Sequence, residues 1–236
     1  MNDKPLLSLV TSVYNSGFRL REFLTCISNQ TYSNIEVIII DDCSTDLETL
    51  SILKDLCENK FSFTKKFTFI RNSRNLGLLK SFQKGLNKAH GEFIAFPESD
   101  DYIDDNFYEI GIDYLIKYKA DVVKGLMLYK YLTNATEEDN IPQLFDLNLD
   151  YTTSWYYIFN RSLLTKNCKK PSFLNAVLYA ACRNLYYEYT ECKVPLEKNS
   201  YYICYCENKE HKNLSKEWKY FVKQIKKEIV KYLNVC

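Results

Sequence analysis

The sequence predicts an α/β domain built on a mainly parallel sheet with helices on both faces. Three observations carry that expectation. Short β-branched runs alternate with helically spaced apolar residues, the connections between them are short, and 236 residues suffice for one sizeable core. Apolar residues at 46% and charged residues at 26% fit a folded soluble chain and exclude a disordered one.

The elements follow in order. LLSLVTSV (6–13) is a β-rich run that ends in the turn signal Tyr14-Asn15-Ser16-Gly17. Leu20, Phe23, Leu24 and Ile27 then recur at the spacing of a one-sided helix. IEVIII (35–40) is the second strand and breaks at Asp41-Asp42, and Leu47, Leu50, Leu53 and Leu56 mark a helix over 46–58. FTFIR (67–71) is strand-like, and Leu78, Leu79, Phe82, Leu86 and Ala89 form another helical face. EFIAF (92–96) is the fourth strand. It is followed by a helix marked by Phe107, Ile110, Tyr114, Leu115 and Tyr118, which Asp104 or Asp105 is placed to cap. ADVVKG (120–125) is a fifth strand.

Beyond that point the pattern loosens. Residues 129–150 are polar and read as a loop or lid, WYYIFNRSLL (155–164) as a strand entering a turn, and 172–189 as a helix. In 215–236, Trp218, Phe221, Val222, Ile225, Ile229, Tyr232 and Leu233 share one helical face, and lysines crowd the rest. Two readings stand for this tail. One is an amphipathic helix packed on the domain, and the other is a basic helix making peripheral contact with an anionic membrane. The chain divides into 1–125, 126–214 and 215–236, all parts of one elaborated domain.

A net charge of +1 gives no ground for nucleic acid as a partner. The nine cysteines form no C-x-x-C, so they read as reduced thiols, mostly small buried hydrophobes. No signal-peptide core and no membrane-length apolar run is present, which predicts a cytoplasmic protein.

The chemistry concentrates at strand ends. In open parallel sheets, ligands bind beyond the carboxyl ends of the strands. Thr11-Ser12-Val13-Tyr14-Asn15, Asp41-Asp42 and Glu98-Ser99-Asp100-Asp101 follow strands one, two and four, and should meet on one edge. Asp is common in turns, which explains either acidic cluster alone better than it explains both on one edge. Mg²⁺ or Mn²⁺ would relieve the repulsion, since these hard cations take carboxylate and phosphate oxygens. No glycine-rich phosphate loop is present, so a diphosphate here would need metal and a few basic groups.

LSLVTSVYN, SNQTYSNIEVIIIDDCSTD and NLGLLKSFQKGLNKAHGEFIAFPESDD together resemble the nucleotide-binding half of the family-2 glycosyltransferases with the GT-A fold. The resemblance runs from about residue 6 to 110 and follows the family's order and spacing; WYYIFNRSLL resembles the strand and turn that come next. It implies that Ser12 and Tyr14 line the base pocket, and that Asp42, with Asp41 beside it, contacts base or ribose. It further implies that Asn75, Gly77 and Lys80 lie near ribose and diphosphate. Asp100 and Asp101 match the metal and ribose end of the family's D-x-D-D, in which Glu98 replaces the first carboxylate, and Ser99, between Glu98 and Asp100, counts with the nucleotide-sugar-binding residues. His211 stands where some members set a histidine against metal or diphosphate, although an exposed loop histidine without a role fits equally well. His90 reads only as a residue at a helix C-terminus.

The resemblance implies a GT-A-like single domain with an irregular acceptor region. It implies metal-assisted, inverting transfer of a sugar from a nucleotide-sugar donor, UDP-linked, to a glycan or lipid-linked glycan. The setting it implies is bacterial surface polysaccharide synthesis. An inverting enzyme also needs a general base at the acceptor hydroxyl. The acidic pair that members carry in that region is missing from 173–189, so Glu188, Glu191 and, from the other side, Asp104 or Asp105 are the candidates, although solvated surface charges also account for Glu188 and Glu191. The rivals are a catalytically impaired nucleotide-sugar-binding protein and a sugar nucleotidyltransferase.

Overall fold

β1 (Leu7–Val13) is buried along its whole length, as its apolar sequence requires of an inner strand. It lies between β2 (Ile35–Asp41) and β4 (Phe93–Ala95), and β3 (Lys66–Arg71) pairs with β2; all four strands are mutually parallel. Next to β4, β6 (Tyr157–Asn160) adds in the antiparallel sense. β5 (Val122–Gly125) pairs antiparallel with β6, and β7 (Tyr202–Tyr205) pairs antiparallel with β5. The result is a seven-stranded sheet in the order β3-β2-β1-β4-β6-β5-β7. The structure is a computed structural model and describes residues 4–60, 63–117, 122–125, 157–165, 170–171, 173, 176 and 202–205.

Successive strand residues point to opposite faces, and this sorts the core into two layers. On one face Leu7, Leu9, Val13, Val37 and Ile39 meet α1 (Phe18–Asn29) through Phe23 and Ile27. The same layer takes in α2 (Leu47–Cys57) through Leu53, and α4 (Phe107–Lys117) through Tyr108 and Ile112. On the other face Val10, Ile38, Ile40 and Ile94 meet Phe82 and Leu86 of α3 (Leu78–Leu86). Leu163 and Leu164 of the short α5 (Arg161–Leu164) join that second layer, as does Phe173. Gly85 lets α3 sit down on the sheet, because a Cβ there would fall 2.3 Å from Val10 Cγ1.

The α/β architecture and the β1–β4 alternation are as the sequence predicts, with element ends shifted by a residue or two. The cap of α4 is a correction. The helix starts at Phe107, and Ile110 N–H donates to the carbonyl of Asn106, so the cap position falls on Asn106 instead of Asp104 or Asp105. β7 had no counterpart in the sequence reading. Of the predicted 172–189 helix, Phe173 and Ala176 are described and helical. The lid at 129–150, the rest of that helix and the tail at 215–236 lie outside the described residues.

Among the described residues no helix is long and apolar enough to cross a membrane. Three described cysteines are free thiols: Cys26 is buried, Cys43 half-buried and Cys57 exposed.

Because β1 to β4 are parallel, the loops that leave them all open on one edge of the sheet. Val13, Asp41 and Arg71 form one row across the ends of β1, β2 and β3, so the three loops that follow start level with one another.

Candidate functional site

The loops after β1 and β2 are latched together. Asn15 adopts φ 52°, and its side-chain oxygen accepts from the N–H groups of Thr45 and Asp46 at 2.8 and 3.0 Å. In return Ser44 Oγ accepts from Asn15 N–H, and Thr49 Oγ1 accepts from Gly17 N–H. Asp46 caps α2 by accepting from Thr49 N–H at 2.8 Å. These bonds fix the rim on which the polar strand ends sit.

Adjacent positions turn Asp41 and Asp42 to different partners. Asp41 is fully enclosed, accepts from Ser44 N–H at 2.8 Å and is paired with the Arg71 guanidinium. Asp42 accepts from the Asn72 amide at 2.7 Å and from the N–H groups of Leu76 and Gly77, both at 2.8 Å. Gly77 is needed for this geometry, because its φ of 82° lies in the left-handed region that a side chain disfavours. Lys84 in turn donates to Asn72 Oδ1 at 2.6 Å and holds that amide in orientation. Burial pushes the Asp42 carboxyl up, but the donors from Leu76, Asn72, Gly77 and Ser81 outweigh it and hold the group below the usual carboxylate range.

The loop after β4 carries the opposite arrangement. Carboxylate oxygens of Glu98, Asp100 and Asp101 all lie within 4.8 Å of one another. The Asp101 carboxyl is pushed up to about 6, by burial first and then by the neighbouring charge of Asp100. An all-oxygen set of crowded carboxylates fits a hard divalent cation better than a soft metal. Ser99 Oγ lies 2.7 Å from Ser16 Oγ, which ties this loop to the rim after β1.

Between the two arrangements opens a cleft of about 480 Å³. Ser12, Tyr14, Asp42, Asn75, Gly77, Ser99 and Asp100 line it, so most of the residues singled out in the sequence converge here. Asp101 stands behind the lining, in the acidic cluster. Asp41 is enclosed and Lys80 is exposed on α3, and neither lines the cleft. Asp104 is also outside the lining; its side chain is exposed, and its carbonyl accepts from the Gln30 side chain at 2.7 Å and from Phe107 N–H. Glu188, Glu191 and His211 lie outside the described residues.

Asn15, named in the sequence as part of the polar end of the first strand, lines the cleft; the sequence reading missed Ser16, Arg19 and Leu78 as lining residues, and Asn72 as the partner of Asp42. Asn72 had an available signal, since it directly follows β3 on the same edge.

Residues 8–187 match the sequence profile described as Glycosyl transferase family 2. The chain belongs to that family. An uncharacterized glycosyltransferase of Haemophilus influenzae is 36% identical over 117 residues, which are 50% of this chain and 35% of that protein. The chain therefore spans about a third of that relative's length. The crystal structure of S. aureus TarS 1-349 in complex with UDP-GlcNAc matches with a TM-score of 0.58 and 21% identity, over 93% of this chain and 65% of that one. The mannosyltransferase PcManGT from Pyrobaculum calidifontis, in complex with GDP-Man and Mn²⁺, matches with a TM-score of 0.52 and 19% identity, over 70% and 47%. At those identities the likeness is one of fold, and it supports the GT-A-like architecture expected from the sequence.

Proposed function

We propose that this family-2 chain moves a sugar from a nucleotide diphosphate donor, UDP-linked, onto a hydroxyl of a glycan or lipid-linked glycan. The observation that carries the proposal is the cleft itself. It sets a neutral, hydrogen-bonding nucleoside wall (Ser12, Tyr14, Asn75) and the ordered carboxylate of Asp42 opposite an acidic cluster suited to a cation. Family membership and the UDP-GlcNAc and GDP-Man/Mn²⁺ complexes of TarS and PcManGT support it. Donor half and acceptor half would be 1–125 and 126–214, and the setting would be surface polysaccharide synthesis on the cytoplasmic side of a bacterial membrane.

In this reading Asp42 accepts hydrogen bonds from the nucleoside, since its own donors keep it ionised. Glu98, Asp100 and Asp101 would hold Mg²⁺ or Mn²⁺, which when bound supplies Lewis-acid stabilisation to the departing diphosphate. Asp100, the exposed member of the cluster, lines the cleft, while Asp101 stands behind it. The Ser16–Ser99 contact keeps the acidic loop in register with the nucleoside wall. The general base would come from the acceptor half, where Glu188 and Glu191 are candidates.

The test is calorimetry with UDP, with and without Mn²⁺, beside an assay of donor hydrolysis over several UDP-sugars. Cation-dependent UDP binding with turnover of at least one donor is the expected result. No binding of any nucleoside diphosphate would sink the reading, and binding without turnover would favour an impaired nucleotide-sugar-binding protein.

A further inference from the structure

We propose that Arg19 is an exchangeable counter-ion: it pairs with Asp100 and passes to the donor's diphosphate when a divalent cation takes its place. The inference rests on the function proposed above and adds a residue that neither motif nor family resemblance singled out.

Arg19 sits in the first turn of α1 and lines the cleft, with Nη1 3.7 Å from Asp100 Oδ2. Among the described lining residues it is the one that carries positive charge. Helix stability does not account for it there. A cation at a helix N-terminus opposes the macrodipole, the first turn of α1 contains no acid, and its cap, Gly17, offers no side-chain acceptor. Its charge is instead matched to Asp100.

The pairing is built to be broken. Both side chains are about half exposed, at 54% and 45%, and exposed pairs of this kind contribute little stability. One guanidinium also cannot balance Glu98, Asp100 and Asp101 together. A divalent cation outcompetes it for Asp100 because it brings two charges to a cluster that repels itself. The released guanidinium presents a rigid fork of N–H donors, which suits a phosphate better than an ammonium does. No phosphate-cradling glycine loop is present, so a basic side chain on this wall fills a role that the donor needs met.

The proposal makes opposite predictions for the two ligands, and calorimetry on the full chain reads both. Arg19→Met should bind Mn²⁺ alone several-fold more tightly than wild type, because the competing cation is gone. It should bind UDP in the presence of Mn²⁺ about tenfold more weakly, and uridine with unchanged affinity. Arg19→Lys should keep the wild-type Mn²⁺ affinity and lose only part of the UDP affinity, and it supplies the answer if the Met variant fails to fold. Unchanged UDP affinity in Arg19→Met, or Mn²⁺ binding no tighter than wild type, overturns the exchange while leaving the proposed function standing. A wild-type chain that binds neither UDP nor Mn²⁺ overturns both.

Discussion

Two acidic ends of the same sheet edge have opposite electrostatics. Asp42, after β2, is almost wholly buried yet held in its charged form, because protein donors surround it. Asp101, after β4, is pushed up to about 6, because it is half-buried and lies beside the charge of Asp100. Both sites crowd negative charge near a strand end; the first is surrounded by protein donors, whereas at the second an exposed Arg19 reaches Asp100. The first is thus part of the fold's own hydrogen bonding. The second is the one that the proposed function assigns to a cation.

The largest expected effect breaks that contrast at its functional end. Asp100→Ala should lower donor turnover by roughly a thousandfold, or about 4 kcal/mol of transition-state stabilisation, through loss of cation-held charge. Its melting temperature should match or exceed wild type, since removing one of three crowded carboxylates relieves repulsion. Retained turnover would remove Asp100 from the site. Asp42→Ala should behave in the reverse manner. It strands the Leu76 and Gly77 N–H groups and the Asn72 amide, and should cost about 2–4 kcal/mol, seen as a lower denaturation midpoint with or without ligand. A variant of Asp42 as stable as wild type would show that the surrounding donors are satisfied by water instead.

Proton linkage sharpens the comparison further. For Asp101 the folded value, about 6, lies above the ordinary 3.8, so the folded chain holds a proton that the unfolded chain releases. Stability should therefore fall as pH rises from 3.8 to about 6, by about 2–3 kcal/mol in all. Asp101→Asn cannot ionise, so its advantage over the metal-free wild type should open across that window and stay flat above it. For Asp42 the folded value lies below 3.8, so its contribution is complete above 3.8 and fades as pH falls through the folded value. Urea unfolding of Asp101→Asn and of Asp42→Asn, each compared with wild type across pH, reads the two slopes. Slopes of the same sign would end the distinction between the two sites.

Much of this was legible in the sequence, for reasons that are local. β1 to β4 are runs of apolar and β-branched residues bounded by turn signals, and their alternation with helical spacing is enough to place polar strand ends on one edge. Which of two adjacent acids enters the network was not legible. Asp41 and Asp42 separate only through the register that sets Arg71 beside the first and Asn72 near the second. Arg19 was missed because a charged residue on the polar side of an amphipathic helix looks the same whether it faces solvent or a cleft. β7 was missed because four residues, Tyr202–Tyr205, carry too little pattern, and their pairing with β5 is set by distant contacts.

The smallest effect tests how far the order around Asp42 extends. Ser81 Oγ lies 2.9 Å from the Asn72 amide that also reaches Asp42, and Ser81 itself helps to hold that carboxyl down. Ser81→Ala removes one buried hydrogen-bonding group and should cost about 1 kcal/mol. It leaves the Leu76 and Gly77 donors in place, so Asp42 should remain ionised at neutral pH and uridine affinity should fall by no more than about threefold. Mn²⁺ affinity should not change, because the Asp42 network is built on β2, β3 and α3 and the acidic cluster on the loop after β4. A Ser81→Ala protein that lost Mn²⁺ as well as nucleoside would mean that the two ends of the cleft are coupled through α3, and the division between a site ordered by protein donors and one assigned to a cation would have to be redrawn.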